Sequence, residues 1–171
     1  MPRPAVVSVQ SRECSPELLE RLSGSTLFPE RPVGAAIVSV VRRGGGSLLY
    51  VTAPPMVEPD AQVDYFLGLL PEEDGGAARD RVEVPGLDDR SSRWLSTKLL
   101  DPVSPAAAGV RERIHAFVDR ERAAGSDVRL ECFEPSVNLE KLASSLGVAV
   151  DQADASAIPL GTKAAGRRIF L

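Results

Sequence analysis

A chain of 171 residues, 43% hydrophobic and 26% charged, has the make-up of one folded domain with a real core rather than of a disordered or low-complexity segment. Its 24 acidic and 20 basic residues leave a net charge of −4 and an isoelectric point near 5.1, against the basic excess of a nucleic-acid-binding surface. The most apolar stretch, Val33 to Val41, is far short of the ~20 residues that cross a bilayer, and no secretory pattern opens the sequence, so a cytoplasmic protein without a membrane partner is expected.

Ala5 to Val9 is a first apolar run, and Ser15-Pro16 then supplies a capping hydroxyl and a first-turn proline for a short helix through Leu18, Leu19 and Leu22, ending near Gly24. The run Val33 to Val41 is rich in β-branched residues. Yet Val33, Ala36, Ile37, Val40 and Val41 fall at i, i+3, i+4, i+7 and i+8, and this period predicts a helix. Gly44-Gly45-Gly46 breaks it, and Ser47 to Thr52 forms a compact strand ending at the Pro54-Pro55 turn. Asp60 is expected to cap a helix whose buried face carries Val63, Phe66, Leu67 and Leu70. Pro71 ends that helix before a polar loop, Glu72 to Asp80, expected to be mobile. Val82 to Val84 is a brief strand.

Ser91 or Ser92 is expected to cap a helix bearing Trp94, Leu95, Leu99 and Leu100, which Pro102 terminates. Ser104-Pro105 opens the next, with Ala107, Val110, Ile114, Phe117 and Val118 along one face and Gly125 at its end. Val128 to Cys132 alternates apolar and polar as a half-buried strand does. Pro135-Ser136 then starts a helix with Leu139, Leu142, Ala143 and Leu146 inward, Gly147 closes it, and Val148 to Val150 is a further strand. Strands alternating with helices at this density predict an α/β doubly wound fold: a mostly parallel sheet of four or five strands with helices on both faces. Beyond it, Ala164 to Leu171 suits a helix that lacks an end signal; Ile169, Phe170 and Leu171 form an apolar cluster that a complete protein would bury against its next domain, and in a fragment they would fold back on their own domain, fray or meet a second copy, so that a homodimer contact or disorder is expected there.

Each candidate for chemistry has a plainer reading beside it. Gly44-Gly45-Gly46 resembles a phosphate cradle in composition, but it runs from a helix into a strand, the reverse of a phosphate loop, and reads as a connector. His115 is the only histidine and sits at the edge of an apolar helical face; Cys14 and Cys132 have neither a CxxC partner nor a histidine neighbour. No metal site and no disulfide framework is encoded. Asp88 and Asp89 with Arg90 and Arg93 follow a strand's carboxyl end, where α/β folds bind ligands, although adjacent acids there also cap helices. Lys163 places an ammonium on a Gly-Thr turn at a helix start, where free amides favour an anion.

Leu160-Gly161-Thr162-Lys163-Ala164-Ala165-Gly166-Arg167-Arg168-Ile169-Phe170 resembles the LGTKSGSRRLF junction of the pheganomycin-type ATP-grasp peptide ligases. Phe28-Pro29-Glu30-Arg31 is similar to that family's YEER, Tyr50-Val51-Thr52 to its YVTS strand, and Val63 to Pro71 to its VDYYLGLLP helix. Asp88 to Leu100 is similar to its DDS…L…KLL segment. The departures are Ala164-Ala165, where serine and glycine are usual, and Pro32-Val33, where leucines follow the arginine. The resemblance implies a Rossmann-like pre-ATP-grasp domain over residues 1–160 and, over 161–171, the start of a linker helix into an ATP-grasp domain. The parent protein would be a bacterial carboxylate-amine ligase using ATP and magnesium to join a carboxylate to an amine through an acyl phosphate. In it Lys163 would contact the nucleotide, and the loops at Thr52, Asp88, Asp89 and Arg93 would face the substrates. No catalytic residue, metal ligand or bound cofactor would belong to the isolated chain. The alternative is a free-standing α/β binding or docking module.

Overall fold

The structure, a computed structural model, describes residues 2–13, 15–21, 30–42, 45–71 and 75–157. Five parallel strands form one sheet in the order β3-β2-β1-β4-β5: β1 Pro4–Val9, β2 Ser47–Val51, β3 Val82–Glu83, β4 Asp127–Glu131 and β5 Ala149–Val150. The all-parallel sheet with helices on both faces is the α/β doubly wound arrangement that the element order predicts. Six α-helices are described: α1 Pro16–Arg21, α2 Glu30–Arg42, α3 Pro59–Gly68, α4 Leu95–Leu100, α5 Pro105–Ala123 and α6 Val137–Leu146. The helical period of Val33 to Val41 thus outweighs its β-branched composition, because the apolar stripe can be buried only as a helix.

Residue alternation along the strands divides the core in two. Ala5, Val7 and Val9 of β1 with Leu49 and Val51 of β2 face α4, α5 and α6, and Ile114, Phe117, Leu139 and Leu142 close over them. Leu48 and Tyr50, with Val6 packed alongside, face the opposite way onto Val33 and Ile37 of α2 and Val63 and Leu67 of α3. β4 is buried on one side only. Its Asp127 and Arg129 stay exposed, with Arg129 paired to Asp127 at 2.9 Å and to Asp151 at 3.5 Å, as its polar alternation requires.

Local signals set several boundaries. Ser104 accepts a hydrogen bond from the Ala107 amide and Ser136 from that of Leu139, so both serve as N-caps, while Gly147 at φ 65° closes α6. Three expectations are corrected. Asp60 does not cap α3: Pro59 already occupies the first turn, and the Asp60 carboxylate pairs with Arg79 at 2.8 Å instead. Ser91 and Ser92 do not cap α4, which starts at Leu95 with Trp94 before it. The polar stretch after Pro71 is not simply a loop. Gly76–Arg81 is a 3-10 helix anchored by buried Ala78, by Arg79 on Asp60 and Asp64, and by Arg81 donating to the Gly46 carbonyl at 2.9 Å. Glu72 to Asp74, Cys14, the helix end near Gly24, Gly44, and the whole of Ile158 to Leu171 lie outside the described residues.

Candidate functional site at the carboxyl edge of the sheet

Because β2 and β4 flank β1, the chain leaves β1 toward α2 on one face and leaves β4 toward α6 on the other. That divergence opens the crevice where doubly wound folds take their ligands. Two segments border it, Gln10 to Glu13 after β1 and Cys132 to Ser136 after β4.

On the α4 and α6 side, the crevice holds a hydroxyl–carboxylate network. Ser11 is fully buried, and its Oγ accepts from the Ser96 amide at 3.2 Å while lying 3.2 Å from Ser96 Oγ. The cap that α4 lacks locally therefore arrives from the β1 loop. Glu13 Oε1 in turn accepts from the Ser96 hydroxyl and, at 2.7 Å, from the Ser136 hydroxyl that caps α6. One carboxylate oxygen thus ties together the loop after β1, the start of α4 and the start of α6.

The opposite face carries a polar row across three strands, since Tyr50, Ser8 and Glu131 are register neighbours. Gln10 donates to Ser8 Oγ at 2.8 Å. Burial pushes the Tyr50 phenol up to about 12, with Glu131 acting in the same direction and Arg12 partly offsetting both. The Arg12 guanidinium lies 5.5 Å over the exposed ring of Phe133, marking the mouth of the crevice with a cation on an aromatic face. Cys132 faces inward. Burial, then Glu131 and Glu13, raise its thiol to about 11, which makes it a packing residue rather than a nucleophile.

The predicted substrate-side residues lie on the same edge, one strand further out. Thr52 follows β2; its amide donates to the Pro85 carbonyl at 3.1 Å, its carbonyl accepts from Leu87 at 2.7 Å, and its buried Oγ1 has no partner among the described residues. Asp89 and Arg93 are brought together at 3.1 Å, but Arg93 is held in turn by Asp101 at 2.9 Å. Beneath them, nearly buried Lys98 donates to the Asp89 and Ser91 carbonyls, both at 2.8 Å. Partial burial opposes the charge of Asp89, but hydrogen bonds from Ser91 and Arg93 and the field of Lys98 prevail and hold its carboxyl at about 2. Asp88 and Arg90 are exposed in this braced loop, as is Arg93 despite its two ion pairs. Lys163 lies outside the described residues.

Beside the crevice, a groove of about 360 Å³ runs between the first turns of α6 and the segment after β5, with Ser136 on its wall. His115 is exposed on α5, and Gly45 at φ 77° leads from α2 toward β2, the connector geometry expected of the glycine run. Among the described residues no cluster of His, Cys, Asp and Glu could hold a metal ion, and no helix is long and apolar enough to cross a membrane. The network of Ser11, Glu13 and Ser96 was not legible in the sequence. The signal that could have found it was position alone, a Ser-x-Glu directly after the first strand of an α/β pattern.

No protein-family model, curated protein or solved structure matches the chain.

Proposed function

We propose that the chain is the N-terminal, substrate-side domain of an ATP-dependent carboxylate-amine (peptide) ligase of the bacterial cytoplasm. The motifs from Phe28 to Phe170 support this reading, and one structural observation carries it: the polar crevice between β1 and β4, at the switch point of a sheet ordered β3-β2-β1-β4-β5. Its hydroxyls, two carboxylates and one guanidinium suit a small polar ligand with both hydrogen-bonding and charged groups. In this reading ATP and magnesium belong to a downstream ATP-grasp domain, Lys163 supplies a phosphate contact, and Ser11, Arg12 and Glu13 orient the carboxylate or amine against it.

Two measurements test the reading. The native reading frame past codon 171 should encode an ATP-grasp domain, and its product should release phosphate from ATP only when a carboxylate and an amine are both supplied. Arg12→Ala or Glu13→Gln in that parent protein should raise KM for one of those substrates and leave KM for ATP unchanged. The isolated chain should bind ATP no better than millimolar, about 4 kcal/mol. A stop codon after Leu171, or micromolar ATP binding by the chain alone, would refute the proposal; the stop codon would favour the free-standing module.

A further inference from the structure

We infer that Glu13 receives a primary ammonium group on Oε2, so that the α4 and α6 side of the crevice takes the amine end of a ligand and refuses a carboxylate. The ammonium follows from the chemistry at Glu13 alone; that its bearer is the amine substrate rests on the ligase reading. Glu13 Oε1 is taken. It accepts from the Ser96 hydroxyl and, at 2.7 Å, from that of Ser136, while Ser11 Oγ turns its own proton toward Ser96 Oγ at 3.2 Å or toward the same Oε1 at 3.5 Å. Each hydroxyl has one proton, so all three are committed within the network, and the serines offer a ligand lone pairs only. Glu13 Oε2 accepts nothing among the described residues, and the residue is only partly buried. Holding the β1 loop to α4 and α6 accounts for one oxygen and leaves the other open.

Charge and protons decide what can occupy Oε2. A carboxylate or phosphate would meet the Glu13 charge and three hydroxyls with no proton to give. The surrounding field is also negative: burial first, then Glu131 and Glu13, raise the Cys132 thiol after β4 to about 11. The adjacent cation, Arg12, is directed to the Phe133 ring, 5.5 Å from its centroid. A primary ammonium brings a positive charge and three protons, one for Oε2 in a charge-assisted hydrogen bond and the others for hydroxyl lone pairs or water. An acylated amine lacks the charge and two of those protons. Because the hydroxyls on Oε1 already fix the direction of Oε2, little ordering of Glu13 opposes binding.

The test uses the full chain at pH 7 with small probes: L-alaninamide, whose α-amino group is mostly protonated there, N-acetyl-L-alaninamide and sodium propionate. The Ser96 and Leu139 amides report, since they donate to the Ser11 and Ser136 hydroxyls of the network. Alaninamide should shift both resonances saturably with a millimolar Kd and shift exposed Asp119 only in proportion to concentration, and the other two probes should leave both amides in place. Glu13→Gln, which keeps an oxygen for the two hydroxyls and removes the charge, should weaken alaninamide binding about tenfold. Propylamine tells an alkylamine from an α-amino group, and saturable binding of either supports the inference. Propionate shifting these amides as strongly as alaninamide, no saturable shift by either amine up to about 100 mM, or undiminished alaninamide binding by Glu13→Gln would overturn it. The comparison of probes in the native chain stands even if that variant does not fold. Saturable alaninamide binding together with a stop codon after Leu171 would keep the inference while the ligase reading falls. In a parent ligase Glu13→Gln should raise KM for the amine and for neither the carboxylate nor ATP; a rise for the carboxylate alone would overturn the inference and leave the ligase reading in place.

Discussion

Lys98→Met isolates the buried ammonium that braces the loop after β3. Lys98 is 5% exposed, donates to two carbonyls at 2.8 Å, and lies 3.7 Å from the Asp89 carboxylate. Hydrogen bonds from a charged donor contribute ~1.5–3 kcal/mol each, so the pair contributes ~3–6 kcal/mol before desolvation. Holding the ammonium out of water opposes this by several kcal/mol, and burial accordingly pushes the lysine pKa down although Asp89 works the other way. Methionine keeps the stem and removes both effects, leaving a net loss of about 1–3 kcal/mol. For a domain of this size that is a fall in Tm of roughly 2–12 °C. Urea unfolding at pH 7, with amide exchange read at Asp89 to Arg93, measures it. A variant as stable as the parent, with unchanged exchange in that loop, would refute the bracing role.

The same loop sets an acid limb. Asp89 is held at about 2 in the fold, below its unfolded value near 3.9, so its ionisation stabilises the protein fully above about pH 4 and ceases to do so as pH falls toward 2. The contribution is about 1–2 kcal/mol after allowing for partial solvent exposure, and Asp89→Asn should flatten the stability curve between those pH values.

Ser11→Ala should lower stability by ~1 kcal/mol and speed exchange of the Ser96 amide roughly fivefold, whereas Ser92→Ala should stay within about 0.5 kcal/mol; equal effects would place the cap of α4 elsewhere. A Cβ on Gly34 would stand 2.5 Å from Phe66 Cε1, so Gly34→Val should cost about 1–3 kcal/mol and Phe66→Leu in the same chain should recover part of it. Strict additivity in urea unfolding would show that the two do not meet. In a Cys14→Ser background, Cys132, with its thiol near 11, should resist a disulfide reagent at pH 8 until the protein is unfolded, and immediate labelling of the native chain would contradict its burial.

What the sequence disclosed follows from how far each signal reaches. The inward faces of α2, α5 and α6 are written in apolar spacing within one or two turns, and the caps at Ser104, Ser136 and Gly147 lie within a few residues of the ends they close. The α4 cap leaves no local signal because its hydroxyl, Ser11, sits 85 positions upstream of Ser96. Glu13 carries no local signal for the same reason, as its partners are 83 and 123 positions away. The turn over Gly76–Arg81 looked like a loop because Arg79 owes its order to Asp60 and Asp64 across a helix, a pairing that no local pattern of alanines, glycines and arginines encodes. Asp88 and Asp89 do follow β3 at the carboxyl edge of the sheet, yet Asp89 serves the loop's own architecture.

The central place of β1 also governs how the protein is made. Its residues emerge before those of either neighbour, and one of the two, β4, begins 76 positions after the end of β2. At a synthesis rate of about 5–20 residues per second, β1 therefore spends roughly 4–15 s with one row of amides and carbonyls unpaired. A nascent chain in that interval exposes Val7 and Val9 without α5 or α6 to cover them. Slow codons downstream of β2 would prolong the exposure, and chaperone engagement should peak while residues 52–126 are being synthesised.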